Sequence, residues 1–312
     1  MKAPRLGYGV QIACAAMSWP ECREIARAAE AAGYHSVWLP DHYVATPDGL
    51  DPDPKTPLLD GWTTLGALAQ ATERIRLGPM VASNTFRHPA ILAKMAASLD
   101  HISGGRLELG MGIGWFDFEH DCFGIPFPPV PERLRAFEEA IRIVRALWRD
   151  PAVDFAGQFY ELKGAIAEPK PLQPGGPPLL IAASGEKVAL RLVARHADHW
   201  NTYRPAEMYA HLAHVLDEHC AREGRDPGAI LRSAMMPLYL TEDDAVRGKL
   251  DRWGGGAAAR EWFLVGSQGE IEDRIERLVE AGAELVVVQV DGREGNADVL
   301  REFAERFFAT AD

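Results

Sequence analysis

Short apolar runs alternate with stretches of helical period along the whole chain, the pattern of a parallel sheet covered by helices rather than of a sandwich or bundle. Leu6 to Ala13 alternates as a first strand, and a helix from Trp19 to Ala32 closes on Gly33, a residue suited to the left-handed cap. Ser36 to Pro40 is a short buried strand that stops at Asp41-His42. A proline-rich loop from Val44 to Leu59 then leads to a helix from Thr63 to Ala71. Strand three runs from Ile75 to Val81, and the next helix, Pro89 to Ile102, carries proline in its favoured first turn. Strand four, Leu107 to Met111, runs into Gly112-Ile113-Gly114-Trp115.

Phe116 to Pro131 is too rich in proline for a regular element and reads as an ordered, lid-like loop. The helix from Glu132 to Trp148 gathers Leu134, Phe137, Ile141, Val144 and Leu147 on one face, and Val153 to Leu162 reads as a small hairpin. Strand five is Leu179 to Ala182, followed by a helix from Glu186 to Arg195, a strand at His199 to Asn201, a helix from Pro205 to Arg222 and a seventh strand from Met235 to Leu240. Trp253 to Ala259, a run of glycine and alanine, reads as flexible. A helix from Glu270 to Ala281, the apolar strand Leu285 to Val290 and a helix to Phe308 complete eight strands. A (β/α)8 barrel needs roughly 250 residues. The 312 residues, with no internal repeat or linker, therefore predict one α/β domain over 1–312: a single TIM barrel with insertions near 116–131, 150–165 and 241–266.

Composition narrows the function classes. A net charge of -12 repels phosphate backbones and no Lys/Arg stripe overrides it, so nucleic-acid partners are not expected. Cys14, Cys22, Cys122 and Cys220 lack CxxC spacing, which points to reduced thiols in a cytoplasmic protein rather than to zinc or disulfides. Lys2 and Arg5 precede an apolar stretch, but Gly7, Gly9 and Gln11 interrupt it, so it reads as a strand rather than a leader. No apolar run reaches the roughly 20 residues of a membrane span.

In a (β/α)8 barrel, chemistry sits where strands end. Asp41-His42 follows strand two: a His beside a carboxylate can be fixed in one tautomer and exchange a proton near neutral pH, although a capping Asp with a solvent-facing His is an equally ordinary dipeptide. Gly112-x-Gly114 lets backbone approach a flat ligand, or is simply a tight turn. Ala183-Ser184-Gly185-Glu186-Lys187 opens a helix and can aim free backbone N–H groups at an anion, or be an ordinary capped loop. The segment from Met80-Val81 through Asn84 to Pro89 reads only as a polar loop into a helix. His120, His196 and His199 have no metal-ligand spacing, Ser184 lacks a GxSxG frame, and Lys187 heads a helix where a Schiff-base lysine would end a strand.

Taken together and in order, several segments resemble the luciferase-like monooxygenase superfamily, and within it the branch using the deazaflavin coenzyme F420. They are Ala32 to His42, Arg87-His88-Pro89-Ala90-Ile91-Leu92-Ala93-Lys94, Ser98 to Arg106, Leu109 to Trp115, Glu119-His120, the Phe-Gly-Ile-Pro-Phe stretch and Ala197-Asp198-His199-Trp200-Asn201. The resemblance implies a bacterial-luciferase-like barrel, commonly a homodimer, with a deazaflavin or flavin ring over the strand ends and a small-molecule substrate. It implies a non-prolyl cis peptide at Met80-Val81 supporting the ring, and His42 as the catalytic proton donor or acceptor beside it. Cofactor contacts would come from Asp41, His42, Met80, Val81, Asn84, Gly112, Ile113 and Gly114, with Ala183, Ser184, Gly185, Glu186 and Lys187 at the phosphate. Coenzyme F420 with hydride transfer is the expected chemistry. FMN with oxygen, or a non-catalytic flavin binder, are the alternatives. Sugar-phosphate dehydrogenases of this branch carry a catalytic Glu directly after the second glycine, where this chain has Trp115.

Overall fold

The computed structural model describes residues 6–45, 55–254, 256–292 and 295–308. Lys2, Arg5, positions 46–54 of the proline-rich loop and position 255 lie outside the described residues. In chain order the elements are β1 (Gly7–Ile12), α1 (Trp19–Ala32), β2 (Ser36–Leu39), α2 (Gly61–Ala71), β3 (Arg76–Pro79), β4 (Ala82–Ser83), α3 (Pro89–Ser103), β5 (Leu109–Gly112), α4 (Asp117–Phe123) and α5 (Val130–Arg149). There follow β6 (Val153–Ala156), β7 (Glu161–Ala165), β8 (Leu179–Ala182), α6 (Ala189–His196), β9 (His199–Thr202), α7 (Ala206–Glu223), β10 (Leu231–Tyr239), α8 (Asp244–Gly254), β11 (Leu264–Val265), α9 (Gln268–Glu280), β12 (Leu285–Val290) and α10 (Asn296–Phe307).

Parallel pairing runs in the order β3-β2-β1-β12-β10-β9-β8-β5-β4. The two ends of this series are halves of one strand, broken at a cis Met80–Val81 peptide. β3 pairs with β2, β4 pairs with β5, and a Leu77–Leu107 bridge closes the cylinder. The nine segments of the series are thus eight barrel strands, the number the sequence predicts. Period-two alternation sorts their side chains. Trp38, Met80, Leu180, Leu285 and Val287 form a small cluster of their own. Val10, Ile12, Val37, Leu39, Val286 and Val288 belong to the large core shared with the helices. Among the described residues no helix is long and apolar enough to cross a membrane, and the four cysteines are unpaired.

Four local readings change. Phe116 to Pro131 is not a plain loop: its prolines all follow Phe123, so Asp117–Phe123 is free to form α4, ended by Gly124 in the left-handed region (φ 65). The seventh strand begins at Leu231, four residues before the apolar run, because Ser233 sits fully buried among polar partners where a core residue was sought. The helix expected from Glu186 begins at Ala189, leaving residues 186–188 as a turn. The glycine-alanine stretch closes α8 and enters a 3-10 turn over Ala257–Trp262.

A buried polar network lies where the barrel strands begin. His199 Nδ1 donates to Glu108 Oε2 at 3.3 Å while its Nε2 meets Ser233 Oγ at 2.7 Å, and Arg76 pairs with the other Glu108 oxygen. Burial alone would push the Glu108 carboxyl up, but His199 and Arg76 outweigh it and hold it at about 2, against an ordinary 4.5. The stabilisation from its charge is therefore complete above pH 4.5 and is lost as pH falls toward 2. Glu108→Gln removes the charge that answers Arg76 and is expected to cost about 3 to 5 kcal/mol at neutral pH. The variant should also lose part of the parent's destabilisation across that acid window. Denaturant unfolding at several pH values measures both.

Candidate active site

The C-terminal ends of β2, β4, β5, β8 and β9 surround a cavity of about 1070 Å³. Of the residues predicted from sequence, Asp41, His42, Met80, Val81, Gly112, Ile113, Gly114, Ala183, Ser184, Gly185, Glu186 and Lys187 all line it. Asn84 does not line it: the residue is buried, and its amide donates to the Tyr160 hydroxyl at 3.1 Å.

The Asp41-His42 pair divides into two roles. Asp41, 3% exposed, accepts two bonds from Arg87 at 2.6 and 2.9 Å and one from the Ser83 backbone N–H at 3.1 Å. Burial pushes its carboxyl up against the pull of Arg87, and the same ion pair holds Arg87 above its ordinary value despite burial. Both of its oxygens are committed, so Asp41 ties the end of β2 to the loop after β4. His42 is the group left facing the cavity.

Its orientation comes from a residue the sequence left unassigned. Glu119 on α4, 1% exposed, accepts from His42 Nδ1 at 2.8 Å and from the Tyr43 backbone N–H at 2.9 Å. A carboxylate oxygen only accepts, so Nδ1 carries a proton, and Nε2 is left without a partner among the described residues. The neighbouring His120 is buried for another reason. Its Nδ1 donates to the Phe116 carbonyl at 2.7 Å, so its Nε2 accepts from Thr85 Oγ1 at 2.6 Å, and Thr85 in turn accepts from Ser83 Oγ at 2.7 Å. Two adjacent side chains of one short helix thus fasten it to β2 and to the loop after β4.

The cavity floor is built by close backbone approach. A Cβ on Gly112 would stand 2.7 Å from Val81 Cγ2, and Gly114 (φ 74) packs where a Cβ would meet Ser83 Oγ at 2.7 Å. Glycine at both positions lets the cis Met80–Val81 segment and Ile113 pack together as an apolar part of the cavity wall. At the rim after β8, the strand next to β5, no acceptor among the described residues meets the backbone N–H groups from Ser184 to Lys187. Glu186 turns its carboxylate to His211 at 3.1 Å, so at this turn it offers the cavity its backbone.

Sequence reasoning missed two cations here. Arg204 donates to Ser184 Oγ at 3.0 Å and lies over Trp262, 5.4 Å from the ring centroid. It could have been found, because Tyr203-Arg204 directly follows β9. Arg133 on α5 stacks 3.8 Å over Phe127 and donates to the carbonyls of Pro128, Ile113 and Gly114. Nothing in its helical position marked it. Neither of these arginines nor Lys187 is ion-paired in the described residues, so the cavity carries positive charge in a protein of net -12.

Residues 3–254 match the profile of the family described as luciferase-like monooxygenase. An uncharacterized protein of Mycobacterium tuberculosis is 32% identical over 240 residues, 73% of this chain and 81% of its own. An F420-dependent glucose-6-phosphate dehydrogenase of Intrasporangium calvum is 29% identical over 309 residues, 88% of this chain and 90% of its own. Among solved structures, an F420-dependent secondary alcohol dehydrogenase in complex with an F420-acetone adduct superposes with a TM-score of 0.84 at 23% identity, covering 99% of this chain and all of the other. At that identity the likeness is one of fold.

Gly112→Ala tests the floor without touching a polar group. Its methyl would press on Val81 at 2.7 Å, and overpacking of this kind costs about 1 to 3 kcal/mol. A denaturation midpoint unchanged from the parent would mean that the backbone approach is looser than described.

Proposed function

The chain belongs to the luciferase-like monooxygenase family and is an oxidoreductase, and from that premise we propose that it works with the deazaflavin F420 on a small organic substrate. The observation that carries the reading is one cavity joining an apolar floor, a rim of backbone N–H groups without acceptors among the described residues, and a single oriented imidazole. A deazaflavin cofactor has the matching parts: a planar ring and a phosphate-bearing tail. The floor of Val81, Gly112, Ile113 and Gly114 offers the ring an apolar surface. The N–H groups of Ser184 to Lys187, with Lys187 and Arg204, form a donor set of the right chemistry for the phosphate. Support for a deazaflavin over FMN comes from relatives whose named activities are F420-dependent.

When bound, the cofactor supplies a two-electron hydride donor or acceptor. The protein's own part is positional and protic. His42 receives the proton of a substrate hydroxyl at Nε2, or returns one to a carbonyl oxygen, while Glu119 holds Nδ1–H and stabilises the imidazolium when it forms. Asp41 takes no proton in this scheme, since all its bonds go to Arg87 and Ser83. The apolar floor and Trp115 limit water around the proton path.

Titrating the purified protein with F420 and with FMN, followed by fluorescence, tests the cofactor. Saturable micromolar binding of F420 is expected. FMN alone binding would reassign the chemistry to a flavin, and neither binding would end the redox reading. With a turnover assay in hand, His42→Ala should lower kcat by about 10² to 10⁴ while leaving F420 binding largely intact. Glu119→Gln, which keeps one acceptor oxygen but removes the negative charge beside Nδ1–H, should lower kcat less and shift the pH–rate profile. Full activity in His42→Ala refutes the proton assignment.

A further inference from the structure

The two sides of the cavity differ in charge. Around the barrel, β9, which precedes Arg204, stands four strands from β2, which precedes His42. On the His42 side every charged group is already engaged: Asp41 by Arg87 and Ser83, Glu119 by His42 and Tyr43, and the Arg133 Nε and Nη1 by three carbonyls. Aromatic rings take the place of charge there. Trp115 stands edge-on to the His42 ring at 5.7 Å and stacks on Phe116 at 5.2 Å, and Phe116 continues to Phe118 at 5.7 Å. Trp115 is 57% exposed and Phe118 43%, an uncovered aromatic surface at the edge of a cavity. Exposed apolar surface so placed marks a binding site, because a ligand that covers it releases water from both.

We infer that the substrate is an uncharged carbonyl compound or alcohol with a flat, apolar body, and that Trp115 selects it by offering its indole as a shelf beside His42. The inference rests on the oxidoreductase reading above for the reacting group, and on the aromatic surface alone for the body. A phosphorylated sugar, the substrate named for the relatives, would bring two negative charges to a side where Arg87 is paired with Asp41, Arg133 is bonded to three carbonyls and a tryptophan stands in its path. The cations that could hold such a charge, Lys187 and Arg204, lie across the barrel, at the rim assigned to the cofactor.

Calorimetric binding of acetophenone to protein loaded with oxidised F420, and of glucose 6-phosphate to protein loaded with reduced F420, tests this without turnover, since a ketone cannot reduce the oxidised cofactor and a sugar hemiacetal cannot be oxidised by the reduced one. Acetophenone should bind saturably and glucose 6-phosphate should not. Trp115→Ala should weaken acetophenone about tenfold or more and Trp115→Phe about threefold or less, because the flat face survives in the second. Trp115 is exposed, so both variants should fold, and circular dichroism checks that they do. Saturable binding of glucose 6-phosphate, no saturable binding of acetophenone, or undiminished acetophenone binding by Trp115→Ala each overturns the inference. The cofactor reading fails separately, if F420 itself does not bind. In that case the acetophenone titrations on cofactor-free protein still decide the role of Trp115.

Discussion

Asp41 is the point on which the site turns. A carboxylate at 3% exposure is tolerable only if its charge is met, and here three donors meet it: both arms of the Arg87 guanidinium and the Ser83 amide. Those donors come from β4 itself and from the loop that follows it, so one side chain fixes the end of β2 relative to β4. Arg87 is itself held between the rings of Tyr43 and Trp62, with centroids 5.9 and 5.7 Å away. Once that clamp is set, the direction of His42 is nearly settled, because the preceding residue cannot move. A free acid beside the imidazole would compete for its proton, and the clamp removes that competitor.

The short helix α4 completes the arrangement. It has only seven residues, and its stability cannot come from its own hydrogen bonds. It is held instead by Glu119 reaching His42 and Tyr43, and by His120 reaching Thr85. Aromatic contacts add to these: Tyr43 packs against Phe86 at 4.6 Å and Phe123 at 5.1 Å, and His120 lies 4.2 Å from Phe127. The helix and the imidazole therefore order each other. Removing the Glu119 carboxylate loosens the helix as well as the His42 ring, which is why a pH profile separates its roles better than a rate alone.

How much of this was legible in the sequence follows from the range of each interaction. Asp41-His42 and Gly112-Ile113-Gly114 could be read directly, because a barrel puts its chemistry just after apolar runs and glycine there has few other uses. The pairing of Asp41 with Arg87 joins positions 46 residues apart, and that of His42 with Glu119 joins positions 77 apart. No local pattern encodes either. Glu119 was further hidden by its surroundings, since the prolines that follow Phe123 made the whole stretch look irregular. The start of β10 was missed for a related reason: Ser233 faces polar partners inside the barrel and Arg232 pairs with Asp217 on α7, in a strand that had been traced by its apolar run. Buried polar networks are the feature that hydropathy misreads.

Charge distribution then explains how one cavity can serve two unlike ligands. A protein of net charge -12 repels anions at a distance, so an anionic cofactor must gain its attraction locally, from cations held close to unpaired amides in a concave site. Lys187, Arg204 and the turn at Ser184 are placed to provide that attraction, and none is spent on a neighbouring carboxylate. On the His42 side the opposite holds: each charge is cancelled or bonded before a ligand arrives, so what remains to be recognised there is shape and apolar area. An anion therefore has reason to enter at one rim only. A neutral molecule gains most where Trp115 and Phe116 lie uncovered, and beside them the imidazole of His42 keeps Nε2 free among the described residues.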